Sequence, residues 1–359
     1  MKIGILTFHR AHNYGAVLQC YALQEILRRN GHDVRVIDYR QPYIEQFYSR
    51  FSTGLLMRRF PDLKAMLEYV KNCMKKFMWS PFRKRYFNDF VTRYIKLTEK
   101  CTSQIPQDFD CYVIGSDQLW SMHCLGGEFD PVYLGEFRRP ASSLLVGYSI
   151  SADERSVNAL AGRLKDIVPS FDAISMREEK ISGIVSSSSG HDCSVTVDPT
   201  LLTDSSLWEP VIDEKWSRRN YILVYEVRWN KDTKGALRRK AERLAEKIGD
   251  GCEVIDVSRM KYPVRDFVSL FRYARYVVTT SFHGVVFSLL FETPFYALPL
   301  WDNYDLRYRE LLTSLGAADR LVSFDDELLP VPVDFAPVSR RMEELRSESM
   351  DYLDKALTR

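Results

Sequence analysis

Thr280, Ser281, His283 and Gly284 stand together in TTSFHGVVFSLLFETPFYALPL (Thr279 to Leu300), directly before a nearly unbroken apolar run. Hydroxyls, an imidazole and a glycine at the mouth of an apolar helix can build an anion site. The first N–H groups of a helix lack partners within it, and the helix dipole adds partial positive charge there. Phosphate or carboxylate binds at such a place. A histidine beside it can donate hydrogen bonds or deliver a proton. The plainer alternative makes Ser281 a helix cap and His283 a packed core residue.

Three further stretches carry candidate groups. In SMREEK a strand ends at Ser175 and Arg177 is expected to open a helix. An arginine in a first turn opposes the dipole by up to about 1 kcal/mol, a cost that a bound anion would offset. The alternative is an exposed Arg177 paired with Glu178 or Glu179. In GSDQLW, Ser116 and Asp117 follow a strand; Asp117 could accept a proton or hold sugar hydroxyls, and Trp120 could stack on a sugar face. The alternative there is an Asx-turn at Asp117 with Trp120 buried. In HRAHNYG, His9 and His12 lie three apart with no third ligand evident, so His9, Asn13, Tyr14 and Gly15 are read as substrate contacts, not metal ligands. Asp108-Phe109-Asp110 has a D-x-D form but sits in a polar turn, and it is not read as a metal site. No G-x-G-x-x-G follows the first strand, and the chain has neither a P-loop nor H-E-x-x-H.

The elements that must position these groups alternate. KIGILTFH reads as a strand, YGAVLQCYALQEILRRNG as a helix closed by Arg28, Arg29 and Gly31, and DVRVIDY as a second strand. This β-α-β opening implies a parallel sheet. Strands are expected again at DCYVIG, SSLLVGYSIS, Ala173 to Ser175 and SVTVDPTLL, the last ended by Asp198-Pro199. A second unit starts near Tyr221 with YILVYEV, followed by a charged helix over 232–249, strand CEVIDV, helix VRDFVSLFRYA, strand YVVTT, a helix from His283 to about Phe291 and strand FYALPL. The fold class is therefore α/β, with two Rossmann-like doubly wound domains facing a cleft. The first domain is expected over 1–205, with a basic helical insertion at 44–100, and the second over 206–337. The amphipathic helix at 338–359 is expected to return to the first domain.

Composition narrows the function. The chain has 359 residues and a net charge of +2, so no global field points to nucleic acid. The seven cysteines (Cys20, Cys73, Cys101, Cys111, Cys124, Cys193 and Cys252) include no Cys-x-x-Cys pair, which suits a reducing compartment. The start, MKIGILTFHR, lacks a small-residue cleavage site, and the chain is read as cytoplasmic. From Tyr276 to Trp301 the one formal charge is Glu292, yet polar residues and Pro294 interrupt the run too often for a membrane span. From Arg50 to Arg85, ten Lys/Arg face two acids, a local charge of +8. With its aromatic residues, this stretch could rest on an anionic membrane surface or be a solvated insertion.

NYGAVLQCYALQ, VIGSDQLW, ISMREEK, VDPTLL and TTSFHGVVFSLLFETPFYAL, in this order, resemble the polysaccharide pyruvyl transferase family. The resemblance spans nearly all of residues 3–317. It implies a GT-B-type fold and transfer of pyruvate from phosphoenolpyruvate to a sugar diol, giving a cyclic ketal and free phosphate. It implies no metal or organic cofactor; phosphoenolpyruvate is a co-substrate. By position, His283 matches the histidine of the family's C-terminal motif, Arg177 the arginine after its central strand, and Asp117 its Gly-Ser-Asp segment. One branch carries an arginine two residues before the histidine, where this chain has Ser281. The donor phosphate is then left to Arg307 in YDLRYRELL or to Arg259 or Lys261 in SRMKY. The expected acceptor is a sugar or lipid-linked glycan, at the inner membrane face if the basic stretch docks there. A nucleotide-sugar glycosyltransferase of the same fold, or a non-catalytic glycan-binding relative, is the alternative.

Overall fold

Two parallel sheets organise the chain. The computed structural model describes residues 1–48, 82–228, 233, 235–300 and 305–358. Most of the basic stretch from Arg50 to Arg85 lies outside them. The chain divides into two compact units: Met1–Pro199 with Tyr352–Arg359, and Thr200–Asp351. The division falls between Pro199 and Thr200, six residues before the boundary expected between residues 205 and 206.

The first unit holds six strands: β1 (Lys2–Leu6), β2 (Asp33–Val36), β3 (Cys111–Asp117), β4 (Leu144–Ile150), β5 (Ala173–Met176) and β6 (Ser194–Val195). They run in the order β2-β1-β3-β4-β5-β6, and every neighbouring pair is parallel. The central strands β3 and β4 are mostly apolar and are buried at all but one end residue each, as sheets covered on both faces require. β3 and β4 approach closely at Gly115. A Cβ there would lie 2.0 Å from the Tyr148 carbonyl oxygen, at φ +131°, so only glycine fits. Helix Tyr14–Arg29 follows β1, with Arg28 and Arg29 in its last turn and Gly31 at φ +87° beyond it.

The second unit repeats the plan with β7 (Tyr221–Tyr225), β8 (Glu253–Asp256), β9 (Tyr276–Thr279) and β10 (Phe295–Ala297). Their order is β10-β9-β7-β8, again all parallel. Both units are therefore doubly wound α/β. β1, β2, β4, β7, β8, β9 and β10 are one to three residues shorter than the apolar runs suggest, because terminal residues turn into loops; β5 runs one residue further, to Met176, and β6 stops seven residues short of Leu202. β6 is shortest, with Thr196 already past its end. The C-terminal helix spans Ala336–Leu357; its last turn belongs with the first unit, where the Tyr352 hydroxyl donates to the Gly147 carbonyl at 2.8 Å.

In each sheet the order reverses once, between β1 and β3 and between β7 and β9. Ligands of open α/β sheets bind outside the carboxyl ends of the strands at such a reversal. The loop leaving β1 carries His9 to Asn13 ahead of helix Tyr14–Arg29; β3 itself ends in Ser116 and Asp117, and the loop leaving it carries Gln118 to Trp120. The loops leaving β7 and β9 carry Glu226 and Thr280 to Gly284.

Candidate functional site

At the carboxyl edge of the first sheet, hydroxyls and amides lock the strand ends together. Thr7 Oγ1 donates to the Ser116 carbonyl at 2.7 Å, Gln19 Nε2 donates to Thr7 Oγ1 at 2.9 Å, and the Ser116 N–H donates to Gln19 Oε1 at 3.2 Å. Ser116 Oγ donates to the Ser149 carbonyl at 2.7 Å and accepts from Arg177 Nη2 at 2.5 Å. Arg177 Nη2 also lies 2.6 Å from Asp198 Oδ2, with the two side chains 4% and 0% exposed. Next to it, Ser151 Oγ donates to the buried Glu178 at 2.6 Å.

This geometry corrects two expectations for Arg177. The helix begins at Glu179, so Arg177 precedes its first turn and does not oppose the dipole there. Nor is it an exposed residue paired with Glu178 or Glu179: it is buried on Asp198. The sequence does not point to Asp198, because an acid before proline reads as the end of a strand. An aspartate before proline just past an apolar stretch was the available signal.

Trp120 is also corrected. It is 0% exposed, and its indole N–H donates to the Tyr133 carbonyl at 2.9 Å, so no face of it is open to a sugar. Asp117 is half-buried at φ +93°, and its Oδ1 accepts the Gln118 N–H at 2.8 Å. This bond is to the next residue and not two residues on, so it is not an Asx-turn; the Leu119 N–H goes to the Asp117 backbone carbonyl instead, at 2.7 Å.

The loop after β1 is held from inside. His9 is 1% exposed, with Nε2 2.8 Å from Asp38 Oδ1 and Nδ1 3.1 Å from the Thr7 carbonyl oxygen. Both ring nitrogens face the fold, so His9 braces the loop. Arg10 and Arg40 converge on the same Asp38. Burial acts to raise the Asp38 carboxyl, but the hydrogen bonds from His9, Arg10 and Arg40 outweigh it and hold the group well below the carboxylate range. His12 packs between Tyr48 and Phe87, with ring centroids at 4.8 and 5.5 Å. Burial, then the charges of Arg83, Lys84 and Arg10, lower its pKa to about 4. Tyr14 is fully buried, while the exposed Asn13 caps helix Tyr14–Arg29 by accepting the Gly15 N–H at 2.9 Å. The D-x-D pair engages Lys2, whose N–H donates to Asp110 at 2.7 Å and whose ammonium bonds Asp108. Among the described residues no group of three or more His, Cys, Asp or Glu is placed to hold a metal ion.

In the second unit, Thr279 Oγ1 donates to the Tyr225 carbonyl at 2.7 Å and accepts the Ser281 N–H at 3.0 Å. Thr280 Oγ1 donates to the Val227 carbonyl at 3.0 Å and accepts the Val227 N–H at 2.9 Å. These bonds tie the loops after β7 and β9 together. Helix Phe282–Leu290 starts with Ser281 at the N-cap, yet the serine hydroxyl makes no capping bond. His283 is in the first turn, 9% exposed, with its ring edge-on to Phe282 at 5.2 Å. The Arg307 guanidinium lies over the same Phe282 ring, 5.7 Å from its centroid. Arg307 is therefore the candidate cation that the fold brings to the His283 turn. Arg259 and Lys261 are exposed in the turn after β8, which neighbours β7. Gly284 is dictated by packing: a Cβ there would lie 2.1 Å from Thr279 Oγ1.

Glu226 was not singled out from sequence, although an acid directly after the apolar run YILVY was visible. Burial, then the charge of Asp256, raises its pKa. With Thr280 and Arg228 it lines a cavity of about 230 Å³. The second sheet's reversal thus gathers an imidazole, threonine hydroxyls, a helix N-terminus, a guanidinium and a carboxyl of raised pKa. Such a set can bind an anion and move a proton.

Comparison with known proteins places these motifs. No curated protein sequence matches the chain. Among solved structures, a glycosyltransferase, SsfS6 from Streptomyces sp. SF2575, aligns at 13% identity over 98% of this chain and 96% of its own, with a TM-score of 0.39. The S. aureus MnaA–UDP co-structure aligns at 11% identity over 99% and 90%, with a TM-score of 0.44. A UDP-GlcNAc 2-epimerase from Methanocaldococcus jannaschii aligns at 11% over 96% and 92%, with a TM-score of 0.43. The family description "Polysaccharide pyruvyl transferase" matches residues 13–302, which run through both sheets and include Asp117, Arg177 and His283. The chain belongs to the polysaccharide pyruvyl transferase family.

Proposed function

We propose that this transferase moves pyruvate from phosphoenolpyruvate to two hydroxyls of one sugar in a glycan or glycan precursor. The methylene carbon of the donor gains a proton and becomes a methyl group, which leaves C2 electrophilic. One sugar hydroxyl adds to C2 and gives up its proton. The second hydroxyl then displaces phosphate, which leaves with the remaining proton, and the ketal ring closes. His283 is the acid for the methylene carbon, and such a group contributes about 10²–10⁴-fold when placed within reach. Arg307, the N–H groups of helix Phe282–Leu290 and the Ser281 hydroxyl receive the phosphate and carboxylate, while Thr280, bonded both ways to Val227, holds the neighbouring loop in place. Arg259 and Lys261 are the next cations on that sheet edge. Asp117 receives the acceptor's hydroxyls.

The observation that carries this reading is the clustering of His283 and Arg307 around Phe282 at the sheet reversal, inside a chain of this family. The reading calls for no metal or organic cofactor. The acceptor is a sugar or a lipid-linked glycan, with the basic stretch from Arg50 to Arg85 contacting an anionic leaflet in the lipid-linked case. Among the described residues no helix is long and apolar enough to cross a membrane.

The test is incubation of the full chain with phosphoenolpyruvate and a panel of glycans. The expected product is free phosphate together with a glycan heavier by about 70 Da, the increment of a pyruvate ketal. Sugar transfer from UDP- or GDP-sugars without phosphoenolpyruvate would overturn the reading.

A further inference from the structure

A second constellation lies beside Asp117 and takes no part in the chemistry above. Cys124 Sγ is 3.3 Å from His123 Nε2, and His123 Nδ1 is 3.3 Å from Asp153 Oδ2. A nucleophile, a base in contact with it and a third group orienting the base is the arrangement that activates thiols and hydroxyls. The three residues come from two elements. Met122–Cys124 is a single 3₁₀ turn after β3, and Asp153 is the N-cap of helix Glu154–Ile167 after β4.

Asp153 is rigidly set. Its Oδ1 accepts the Ser156 N–H at 2.9 Å, its Oδ2 accepts the Ser156 hydroxyl at 2.7 Å, and the Asp153 N–H donates to Ser121 Oγ at 3.1 Å. Burial acts to raise this carboxyl, but the bonds to Ser156 and Ser121 and the neighbouring His123 outweigh it, so it stays ionised. The ionised carboxylate favours a proton on His123 Nδ1, which leaves Nε2 to accept the thiol proton. The cluster is reachable: Cys124 is half-buried, and the His123 and Asp153 side chains are 37% and 31% exposed.

Five other described thiols serve as the comparison. Burial pushes Cys111 up to about 12 and Cys193 up to about 11, and it raises Cys20, Cys101 and Cys252 as well. Thiols held protonated are poor nucleophiles. Cys124 is also close to the reversal loop, with Sγ 3.6 Å from Gln118 Oε1, while the Gln118 N–H bonds Asp117.

We propose that Cys124 is a reactive thiol and a modification site for small disulfides, with His123 as its base and Asp153 as the group that orients that base. The thiol proton passes to His123 Nε2. The sulfur attacks one sulfur of the incoming disulfide, whose S–S bond breaks as a new S–S bond to Cys124 forms. The departing thiolate takes the proton from His123. Cys124 is oxidised to a mixed disulfide, one half of the reagent is reduced to a thiol, and no other oxidant is needed. The attached group then sits against Gln118 at the edge of the Asp117 loop.

The test treats the full folded chain with limiting iodoacetamide and, separately, with glutathione disulfide, and follows each cysteine by peptide mass mapping. Cys124 is expected to react about tenfold or more faster than Cys101 and Cys252. His123→Gln and Asp153→Asn are each expected to slow Cys124 by about tenfold while leaving the other cysteines and the melting temperature unchanged. Reaction of Cys124 at the pace of Cys252, or an unchanged rate in folded His123→Gln, would overturn the proposal. Neither arm uses phosphoenolpyruvate, so the outcome is independent of the pyruvyl transfer reading.

Discussion

Arg177 and Asp198 form an ion pair inside the first unit, 2.6 Å between Nη2 and Oδ2, with Ser116 Oγ on the same guanidinium nitrogen. Two charges removed from water tolerate each other only as a pair. Arg177→Ala and Asp198→Ala are each expected to lower stability by about 3–5 kcal/mol, because each leaves a buried charge behind. The double variant should lose less than the sum of the two. Urea unfolding of the three variants measures this, and strictly additive losses would show that the pair is not coupled.

His283 tests the chemistry. His283→Ala should reduce phosphate release from phosphoenolpyruvate by about 10²–10⁴-fold at saturating donor, with a small change in melting temperature. A near-normal kcat would remove it as the acid. Arg307→Ala should instead raise the donor KM, since its proposed partner is the anion in the ground state as well as in the transition state.

Gly284 tests the turn that presents His283. A Cβ at 2.1 Å from Thr279 Oγ1 cannot be accommodated without moving β9 or the helix. Gly284→Ala is expected to cost about 1–3 kcal/mol. Thr279→Ala removes the obstructing hydroxyl, so the double variant should recover part of that loss, by about 0.5–3 kcal/mol relative to additivity. Denaturation of the four proteins in one cycle gives the answer.

His12 predicts a pH dependence. Its pKa falls from 6.5 to about 4 in the folded chain. Between those values the unfolded chain binds the extra proton, so stability rises with pH through this window and is lost as pH falls toward 4. His12→Phe keeps the ring stack with Phe87 and removes the titration. Its stability curve should be flatter from pH 4 to 6.5 than that of the parent chain, as read by unfolding at several pH values. Identical slopes would mean that His12 is not the group responsible.

The basic stretch predicts salt-sensitive membrane contact. Vesicles of anionic lipid should cosediment the protein at low ionic strength and release it at high salt. Changing Lys71, Lys75 and Lys76 to Glu should abolish the low-salt binding. Absence of binding at low salt would remove the membrane surface from the acceptor's route.

Much of the architecture was legible because it is written locally. The apolar run YVVTT and the helix that follows lie within a residue of β9 and Phe282–Leu290, and the Gly and Pro residues mark the turns. His283 was legible for the same reason, as a polar residue at an apolar helix mouth. What the sequence hid is long-range. Nothing near Arg177 signals Asp198 or Ser116, and Trp120 looks the same whether it faces a sugar or the Tyr133 carbonyl. His9 stands 29 residues from the Asp38 that engages it. Such pairings leave no periodic trace, because sheet order makes them and helix or strand spacing does not. Arg177 was misplaced by two residues for a local reason: the acids after it look like a first turn that already includes it.

β2 is the outermost strand of the first sheet, and the chain returning toward β3 lays Leu97 and Cys101 beside Val36 and Tyr39. The long excursion between β2 and β3 therefore leaves and re-enters at a margin, and the pairing of β1 with β3 at the reversal is untouched by its length. Loop closure adds little as such a segment grows. This makes the excursion an exchangeable cassette. Exchanging that segment at the margin should leave the six-stranded sheet and the carboxyl-edge loops of β1 and β3 in place, which the melting temperature of such a chimaera would report.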